Sequence, residues 1–271
     1  GVQLVNVDNG SYSNDLLITA GYADLNSKTD NGAVYLIKNA DVITGNKDLS
    51  AGSNYSVEWN GGYTNDILGE TRNGLLGVQL VNVDNGAYSN DLLVGSDLAD
   101  IGGITNTGAV YLIKGIDSLS GANDLNVAAN YFAVWYGGAN DIIGFVGANN
   151  QTNNGTPAGV TANTGLTTQL VNVDGGTYSN DLLLATGRLQ STSLGTRSAN
   201  AVGAAYLIKN VDSLSGLHDL NTLTGFDVRW NGVTASDKLT ETQYSGSGMQ
   251  LVNADNGSYS NDLLLTGSFM D

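Results

Sequence analysis

The sequence predicts an all-β protein made of four-stranded repeats, and three observations support that prediction. Glycine is abundant, with 37 in 271 residues, and Asn, Asp, Ser and Thr separate short runs of Leu, Val, Ile and Tyr. One long phrase recurs four times along the chain with little change. No stretch has the period of a helix, except for a short turn near Ser118 and Leu119. This combination is typical of many short strands joined by turns.

The recurring phrase defines the domain organisation. It reads QLVNVDNGSYSNDLL in its first copy, and the copies begin at Gln3, Gln79, Gln169 and Gln250. A second phrase, GAVYLIK or GAAYLIK, follows the first three copies. We therefore divide the chain into repeat 1 (residues 1–76), repeat 2 (77–166), repeat 3 (167–247) and a half repeat (248–271). We expect one repeat array that belongs to a longer protein or to an assembly.

Four strands are predicted in each whole repeat, and in repeat 1 they cover residues 2–7, 15–19, 33–38 and 55–59. The first strand places Val5 on one face and Leu4 on the other. The second is mostly apolar, which predicts burial on both faces. The third ends in Lys38, which we expect at a strand edge or in solvent. The fourth alternates inward Trp59 with outward Glu58.

Copies of such a repeat must pack on one another, because about 80 residues in a small sheet cannot bury both faces alone. Radial packing gives a β-propeller and linear stacking gives a β-solenoid. Long, variable connections favour the propeller, built here from three full blades and half of a fourth. The excess length in residues 145–166 is a surface insertion or a binding loop, and repeat 3 carries a smaller excess in residues 187–202. Because the half repeat lacks its last two strands, we expect further residues or a neighbouring chain to complete it.

Charge and composition exclude several classes of function. The net charge is −16, which argues against nucleic acid and anionic membrane surfaces as partners. No apolar run approaches the ~20 residues of a membrane-spanning helix, so membrane insertion is not expected. Cysteine is absent, which removes disulfides and thiolate chemistry. The single histidine, His218, falls in an apparent turn outside the repeated phrases, so we expect no enzymatic activity.

The order of phrases resembles the FG-GAP repeat of integrin α-subunit propellers and their bacterial relatives. Leu68-Gly69 and Ile143-Gly144 stand where that family has Phe-Gly, and residues 84–91 stand where it has an acidic Ca²⁺ loop. Residues 92–95 resemble its next strand, and residues 108–113 resemble its Val-Tyr strand. The resemblance covers nearly the whole chain. It implies a propeller of four-stranded blades in an extracellular adhesion or binding protein, with Ca²⁺ in its loops.

The acidic loop at residues 8–15 is the strongest candidate site. It carries two aspartates without a basic residue, and Ca²⁺ would relieve their repulsion through oxygen ligands. The candidate ligands across the four copies are Asn6, Asp8, Asn14, Asp15, Asn82, Asp84, Asn90, Asp91, Asn172, Asp174, Asn180, Asp181, Asn253, Asp255, Asn261 and Asp262. The family's pattern D-x-[DN]-x-D-G-x-x-D is not matched, because the position eight residues before Asp15 is Val7. The alternative interpretation is a turn in which Asp15 accepts backbone N–H bonds.

Three further sets of residues recur in phase. An acidic phrase after the tryptophans is expected to cap turns, and its copies are Asn65-Asp66, Asn140-Asp141 and Ser236-Asp237. Trp59, Trp135 and Trp230 pack between sheets or form a platform for carbohydrate. Tyr12, Tyr88, Tyr178 and Tyr259 pack over the loop or present a contact surface.

These observations favour a non-enzymatic scaffold or adhesion module at an extracellular or cell-surface location, whose partners are other protein chains. One alternative is the structural subunit of a surface filament, sheath or layer, in which neighbouring chains complete the last repeat. Another is the accessory propeller of a larger secreted hydrolase.

Overall fold

The computed structural model describes residues 1–70, 77–139, 141, 143–144, 167–186, 202–233, 239–240, 248–255, 257–258 and 260–267. These residues are all-β, as predicted, and their helical segments are 3-10 turns of three residues. The strands are β1 (Val2–Val5), β2 (Asp15–Ala20), β3 (Ala33–Ile37), β4 (Val57–Asn60), β5 (Val78–Val81), β6 (Asp91–Ser96), β7 (Ala109–Ile113), β8 (Gly121–Asp124), β9 (Ala133–Tyr136), β10 (Thr168–Val171), β11 (Asp181–Thr186), β12 (Ala204–Ile208), β13 (Gly216–Asp219), β14 (Val228–Asn231), β15 (Met249–Val252) and β16 (Asp262–Leu265).

Four strands of each whole repeat form an antiparallel sheet in chain order, which confirms the predicted strand composition. Repeat 1 supplies β1-β2-β3-β4, repeat 2 supplies β5-β6-β7-β9, and repeat 3 supplies β10-β11-β12-β14. The half repeat supplies the pair β15-β16. The register is the same in every copy: Leu17 faces Gln3 and Leu36, as Leu93 faces Gln79 and Leu112.

A fifth strand crosses from one repeat to the sheet of the preceding repeat, and the sequence analysis did not predict it. β8 of repeat 2 pairs in parallel with β4, and β13 of repeat 3 pairs in parallel with β9. Each of these crossing strands lies between the third and fourth strands of its own repeat. Consecutive repeats are therefore joined by backbone hydrogen bonds as well as by side-chain packing.

The sheets stack face to face along the chain and bury one core between each pair. The first core joins Val5, Leu17 and Trp59 of repeat 1 to residues of repeat 2 such as Val78 and Tyr111. The second core joins repeats 2 and 3, and a smaller third core joins repeat 3 to the half repeat. Repeat 1 leaves its other face open: Val2 is 64% exposed, whereas its counterpart Val78 is 5% exposed.

The tryptophans belong to these cores. Trp59 and Trp135 are fully buried, and Trp230 packs half-buried against the third core. This confirms packing between sheets for Trp59 and Trp135, and the carbohydrate platform is wrong for both because a buried indole cannot stack on a sugar.

Glu58 lies on the face of the sheet opposite Trp59, as the predicted alternation requires, but it is not exposed to solvent as we expected. Its side chain is buried, with Oε1 accepting a hydrogen bond from Asn60 at 3.2 Å. β8 pairs along the outer edge of β4, so β4 is an interior strand rather than an edge. Burial, followed by the nearby Glu58 charge, raises the pKa of the facing Tyr35 to about 12.

Several expectations concern residues outside this description, including the insertion at 145–166 and most of the one at 187–202. In the part of the chain that is described, no helix is long and apolar enough to span a bilayer.

Candidate functional site: the repeated acidic loop

The last aspartate of the loop connects two segments of backbone. Asp15 begins β2 and is fully buried. Its Oδ2 accepts the N–H of Val7 at 2.9 Å, and its Oδ1 accepts the N–H of Asn39 at 2.9 Å. The carboxylate therefore fastens the chain before the loop to the chain after β3. The structure supports the turn interpretation for this residue.

The same arrangement recurs in the other repeats. Asp91 accepts from Val83 and Gly115, both at 3.0 Å. Asp181 accepts from Val173 at 2.9 Å and Asn210 at 3.1 Å, and Asp262 accepts from Ala254 at 2.7 Å. The second residue after the third strand has positive φ in each whole repeat, which suits the residues found there, Asn39, Gly115 and Asn210.

The beginning of the loop is a small turn around a glycine. The N–H of Gly10 donates to Asn6 Oδ1 at 3.0 Å and to Asp8 Oδ1 at 3.1 Å. Asn6 Nδ2 donates back to the Gly10 carbonyl at 2.7 Å. The Asn amide bonds recur at Asn82, Asn172 and Asn253, and the glycine-to-aspartate bonds recur at Asp84, Asp174 and Asp255.

A third aspartate, which the sequence analysis missed, completes the site. Asp41 lies in the 3-10 turn after β3. Its Oδ2 accepts from the Tyr12 hydroxyl at 2.8 Å, and its Oδ1 accepts from Asn14 Nδ2 at 3.1 Å. Repeat 2 has the same contacts among Tyr88, Asn90 and Asp117, and repeat 3 has them among Tyr178, Asn180 and Asp212. The signal was available, because an aspartate recurs shortly after each VYLIK or AYLIK phrase.

We call this trio of tyrosine, asparagine and aspartate the Tyr–Asn–Asp cluster. Its hydrogen bonds shift the pKa values of the aspartate and the tyrosine in opposite directions. The Tyr12 hydroxyl, and then the Asn14 amide, hold the pKa of Asp41 below its usual value. Bonding to Asp41 in turn raises the pKa of Tyr12. In repeat 2, partial burial opposes ionisation of Asp117, but the bonds from Asn90 and Tyr88 still lower its pKa. In repeats 1 and 2 the cluster therefore presents a carboxylate near neutral pH.

The clusters of successive repeats lie side by side. The Tyr88 pKa is raised first by its bond to Asp117, and the charge of Asp8 in repeat 1 adds to the increase. Lysine side chains also connect successive repeats: Lys38 Nζ donates to the Asp117 carbonyl, and Lys114 Nζ donates to the Asp212 carbonyl at 2.8 Å. Lys38 is therefore half-buried between repeats and does not extend freely into solvent.

The proposed calcium ligands do not form a ready-made cage in this conformation. Both oxygens of Asp15 accept backbone N–H groups. The Asn6 amide is hydrogen-bonded within the glycine turn, and the Asn14 amide donates within the Tyr–Asn–Asp cluster. Asp8 remains exposed and its turn bond uses only Oδ1. No group of three or more His, Cys, Asp or Glu side chains in the described residues is arranged to hold a metal ion. A cation held by all four predicted ligands would share the Asp15 and Asn6 oxygens with backbone N–H groups that they already accept, and calcium stays a prediction.

The second acidic phrase caps turns, as predicted, in the copies that the structure describes. Asp66 accepts the N–H of Tyr63 at 2.8 Å and that of Asp100, in repeat 2, at 3.2 Å. Asp141 accepts the N–H of Gly138 at 2.7 Å. Asn140, Ser236, Asp237 and Tyr259 lie outside the described residues.

His218 occupies a strand and not the turn that we expected. It is the third residue of β13, and its ring stacks on Trp135 with centroids 5.7 Å apart. Burial lowers the pKa of the imidazole, although a backbone hydrogen bond at Ser215 acts in the opposite direction. A strand was not predicted at this position, because it lies outside the repeated phrases.

Comparison with known proteins does not assign the chain to a family. No protein-family model matches the chain, and no curated protein matches it in sequence.

Proposed function

We propose that this chain is a non-enzymatic scaffold or adhesion module at an extracellular or cell-surface location. Its stacked repeats would be FG-GAP-like blades of a β-propeller, and they would present the same polar cluster once per repeat. Its function would be multivalent binding to other protein chains.

One observation carries the proposal: the Tyr–Asn–Asp cluster has the same contacts in three successive repeats. A hydrolytic site is normally built once, from groups in unlike environments. Identical copies on a continuous core suit repeated contact instead, because linked weak contacts gain avidity from their effective concentration.

Antibody labelling of intact and permeabilised source cells tests the location. We expect an antibody raised against the purified chain to label intact cells, and surface protease treatment to remove the label. Labelling that requires permeabilisation would contradict the proposal.

A second candidate is the structural subunit of a surface filament, sheath or layer. The crossing strands favour it, because β8 and β13 each add in parallel to the sheet of the preceding repeat, and strand addition can also join separate chains. Electron microscopy of native preparations separates the candidates: polymers support the subunit, and isolated particles support the adhesion module.

Calcium binding by the loops is tested by thermal unfolding with millimolar CaCl₂ and with EDTA, at fixed ionic strength. The calcium prediction expects a higher midpoint with Ca²⁺ and a lower one with EDTA, because a ligand of the native state stabilises it. MgCl₂ at equal ionic strength is the control. Identical midpoints in the three conditions would remove calcium from the proposed function.

A further inference from the structure

The glycine turn at the start of the acidic loop favours one particular dipeptide. Asn9 and Asn85 both have a φ of 61°, a left-handed conformation that Asn adopts more readily than most residues with a Cβ. At the next position, a Cβ on Gly10 would lie 3.2 Å from Asp8 Oδ1, which is a tight contact. Asn-Gly therefore fits both positions of the turn, and repeat 3 fills them with Gly175-Gly176 instead.

Asn-Gly is also the dipeptide that deamidates most readily. The glycine nitrogen loses its proton to hydroxide and attacks Cγ of the asparagine. The side-chain nitrogen takes a proton from water and leaves as ammonia, and a succinimide ring remains. Water then opens the ring to aspartate or isoaspartate. Glycine favours the attack because it has no Cβ to obstruct it.

Two other Asn-Gly pairs are shielded by burial. Asn31 and Asn60 are buried, and the glycine N–H that follows each of them donates to a backbone carbonyl, at 3.1 and 3.2 Å. Asn9 and Asn85, in contrast, are exposed. Hydroxide and water therefore reach these two asparagines, and burial does not protect them.

In the exposed turns the attacking nitrogen is held by two side chains. The Gly10 N–H donates to Asn6 Oδ1 at 3.0 Å and to Asp8 Oδ1 at 3.1 Å. The Gly86 N–H has the same two bonds, at 2.9 and 3.2 Å. Because the nitrogen attacks only after its proton has left, both hydrogen bonds must break first. The negative charge of Asp8 also repels the approaching hydroxide.

Repeat 3 provides a comparison within the chain, because it has no asparagine to protect at position 175. Its Gly176 N–H donates to Asp174 Oδ1 at 3.2 Å, whereas Asn172 Oδ1 has no hydrogen-bond partner among the described residues. Of the three whole repeats, the two with Asn-Gly in the turn have the asparagine-to-glycine bond. In the half repeat the Gly257 N–H donates to Asp255 Oδ1 at 2.9 Å, and the preceding asparagine lies outside the described residues.

We propose that Asn9 and Asn85 are deamidation sites that the folded chain suppresses, with the Asn6 and Asn82 amide oxygens holding back the attacking nitrogen. This gives the recurring asparagine before the loop a role that requires no metal ion. Unfolding of the turn, or loss of that asparagine, releases the reaction. The inference is independent of the proposed function, because it depends only on the chemistry of the loop.

Ageing of the purified chain at mildly alkaline pH tests the proposal, with peptide mass spectrometry to measure the conversion of each asparagine. We expect Asn9 and Asn85 to deamidate about tenfold more slowly in the native chain than in urea, because two hydrogen bonds hold each glycine nitrogen in the folded state. Equal rates in the two conditions would overturn the proposal.

Asn6→Ala removes one of the two acceptors of the Gly10 N–H. It should speed deamidation at Asn9 about fivefold, the effect expected from one neutral hydrogen bond. Asn85 in the same chain is the matched control, because its own acceptor, Asn82, is unchanged, and its rate should stay at the wild-type value. An unchanged rate at Asn9, or an equal increase at Asn9 and Asn85, would overturn the proposal.

Asn6→Asp separates the acceptor from the rest of the side chain. It keeps an oxygen for the Gly10 N–H but loses the amide that donates to the Gly10 carbonyl at 2.7 Å. We expect Asn9 to deamidate as slowly in Asn6→Asp as in the wild-type chain. A rate as fast as in Asn6→Ala would overturn the role of Asn6 Oδ1, because general loosening of the turn would then explain both variants.

Discussion

At the scale of single residues, the two aspartates of the acidic loop have different tasks. Asp15 is buried and joins two backbone segments, whereas Asp8 is exposed and stabilises its own turn. A carboxylate in the position of Asp15 contributes mainly by satisfying N–H groups that would otherwise lack an acceptor.

Asp15→Ala should therefore lower the free energy of unfolding by about 2 kcal/mol, because it leaves the N–H groups of Val7 and Asn39 without their acceptor. Asp8→Ala, the matched control, should cost about 0.5 kcal/mol, since it removes one exposed turn bond. Urea unfolding of both variants measures the difference. Equal losses would contradict the distinction between the two aspartates.

Asp66 is expected to make stability depend on pH. Its side chain is 1% exposed, and burial raises its pKa to about 7. The backbone hydrogen bonds from Tyr63 and Asp100 act in the opposite direction but are outweighed. The folded state therefore holds a proton that the unfolded state releases near pH 4, so the free energy of unfolding should fall as the pH rises from about 4 to about 7.

Asp66→Asn removes the titrating group and should flatten this part of the profile, whatever its own cost in stability. Urea midpoints from pH 4 to pH 8 measure the change. Asp100→Asn is the control, because it removes the Asp100 charge but keeps the backbone N–H that Asp100 donates to Asp66. Parallel wild-type and Asp66→Asn profiles would show that Asp66 does not titrate in this range.

At the scale of the element, the crossing strand is the feature that joins repeats. It is short, and the leucine that follows it packs into the core between two repeats, as Leu125 and Leu220 do.

Leu125→Ala should cost about 3 kcal/mol, the usual range for a leucine truncated in a packed core. Leu49→Ala should cost about 1 kcal/mol, because Leu49 is only half-buried. Urea unfolding of both variants is the measurement. A loss for Leu49→Ala as large as that for Leu125→Ala would show that burial does not decide the cost.

At the scale of the whole molecule, stability is expected to be greatest in the middle of the array. The repeat 2 sheet packs on both faces, with Val94 and Tyr111 in the first core and Leu93 and Trp135 in the second. Repeat 1 has one open face, and the half repeat is a two-stranded sheet, which is marginal alone.

Hydrogen exchange should therefore be slowest in β6, β7 and β9 and fastest in β15 and β16, with protection falling by at least tenfold between them. Peptide-resolved mass spectrometry measures this order. Uniform protection along the array would show that the repeats unfold as one unit.

The sequence determined the repeats, the four antiparallel strands of each whole repeat and their order, because the phrases recur as short apolar runs separated by clear turn residues. It also determined the turn-capping role of Asp66 and the packing of Trp59 and Trp135. These features depend on residues close in the chain or on repetition itself.

Only the tertiary structure decided where the crossing strands go and why Glu58 is buried. Residues 121–124 look like a polar loop in sequence, and nothing local indicates that their partner lies in the preceding repeat. The third member of the Tyr–Asn–Asp cluster was also decided this way, since Asp41 is 29 residues from Tyr12 and meets it only when β2 and β3 pair. The physical reason is common to these cases: hydrogen bonds between distant segments depend on which edges and loops the packed sheets bring together.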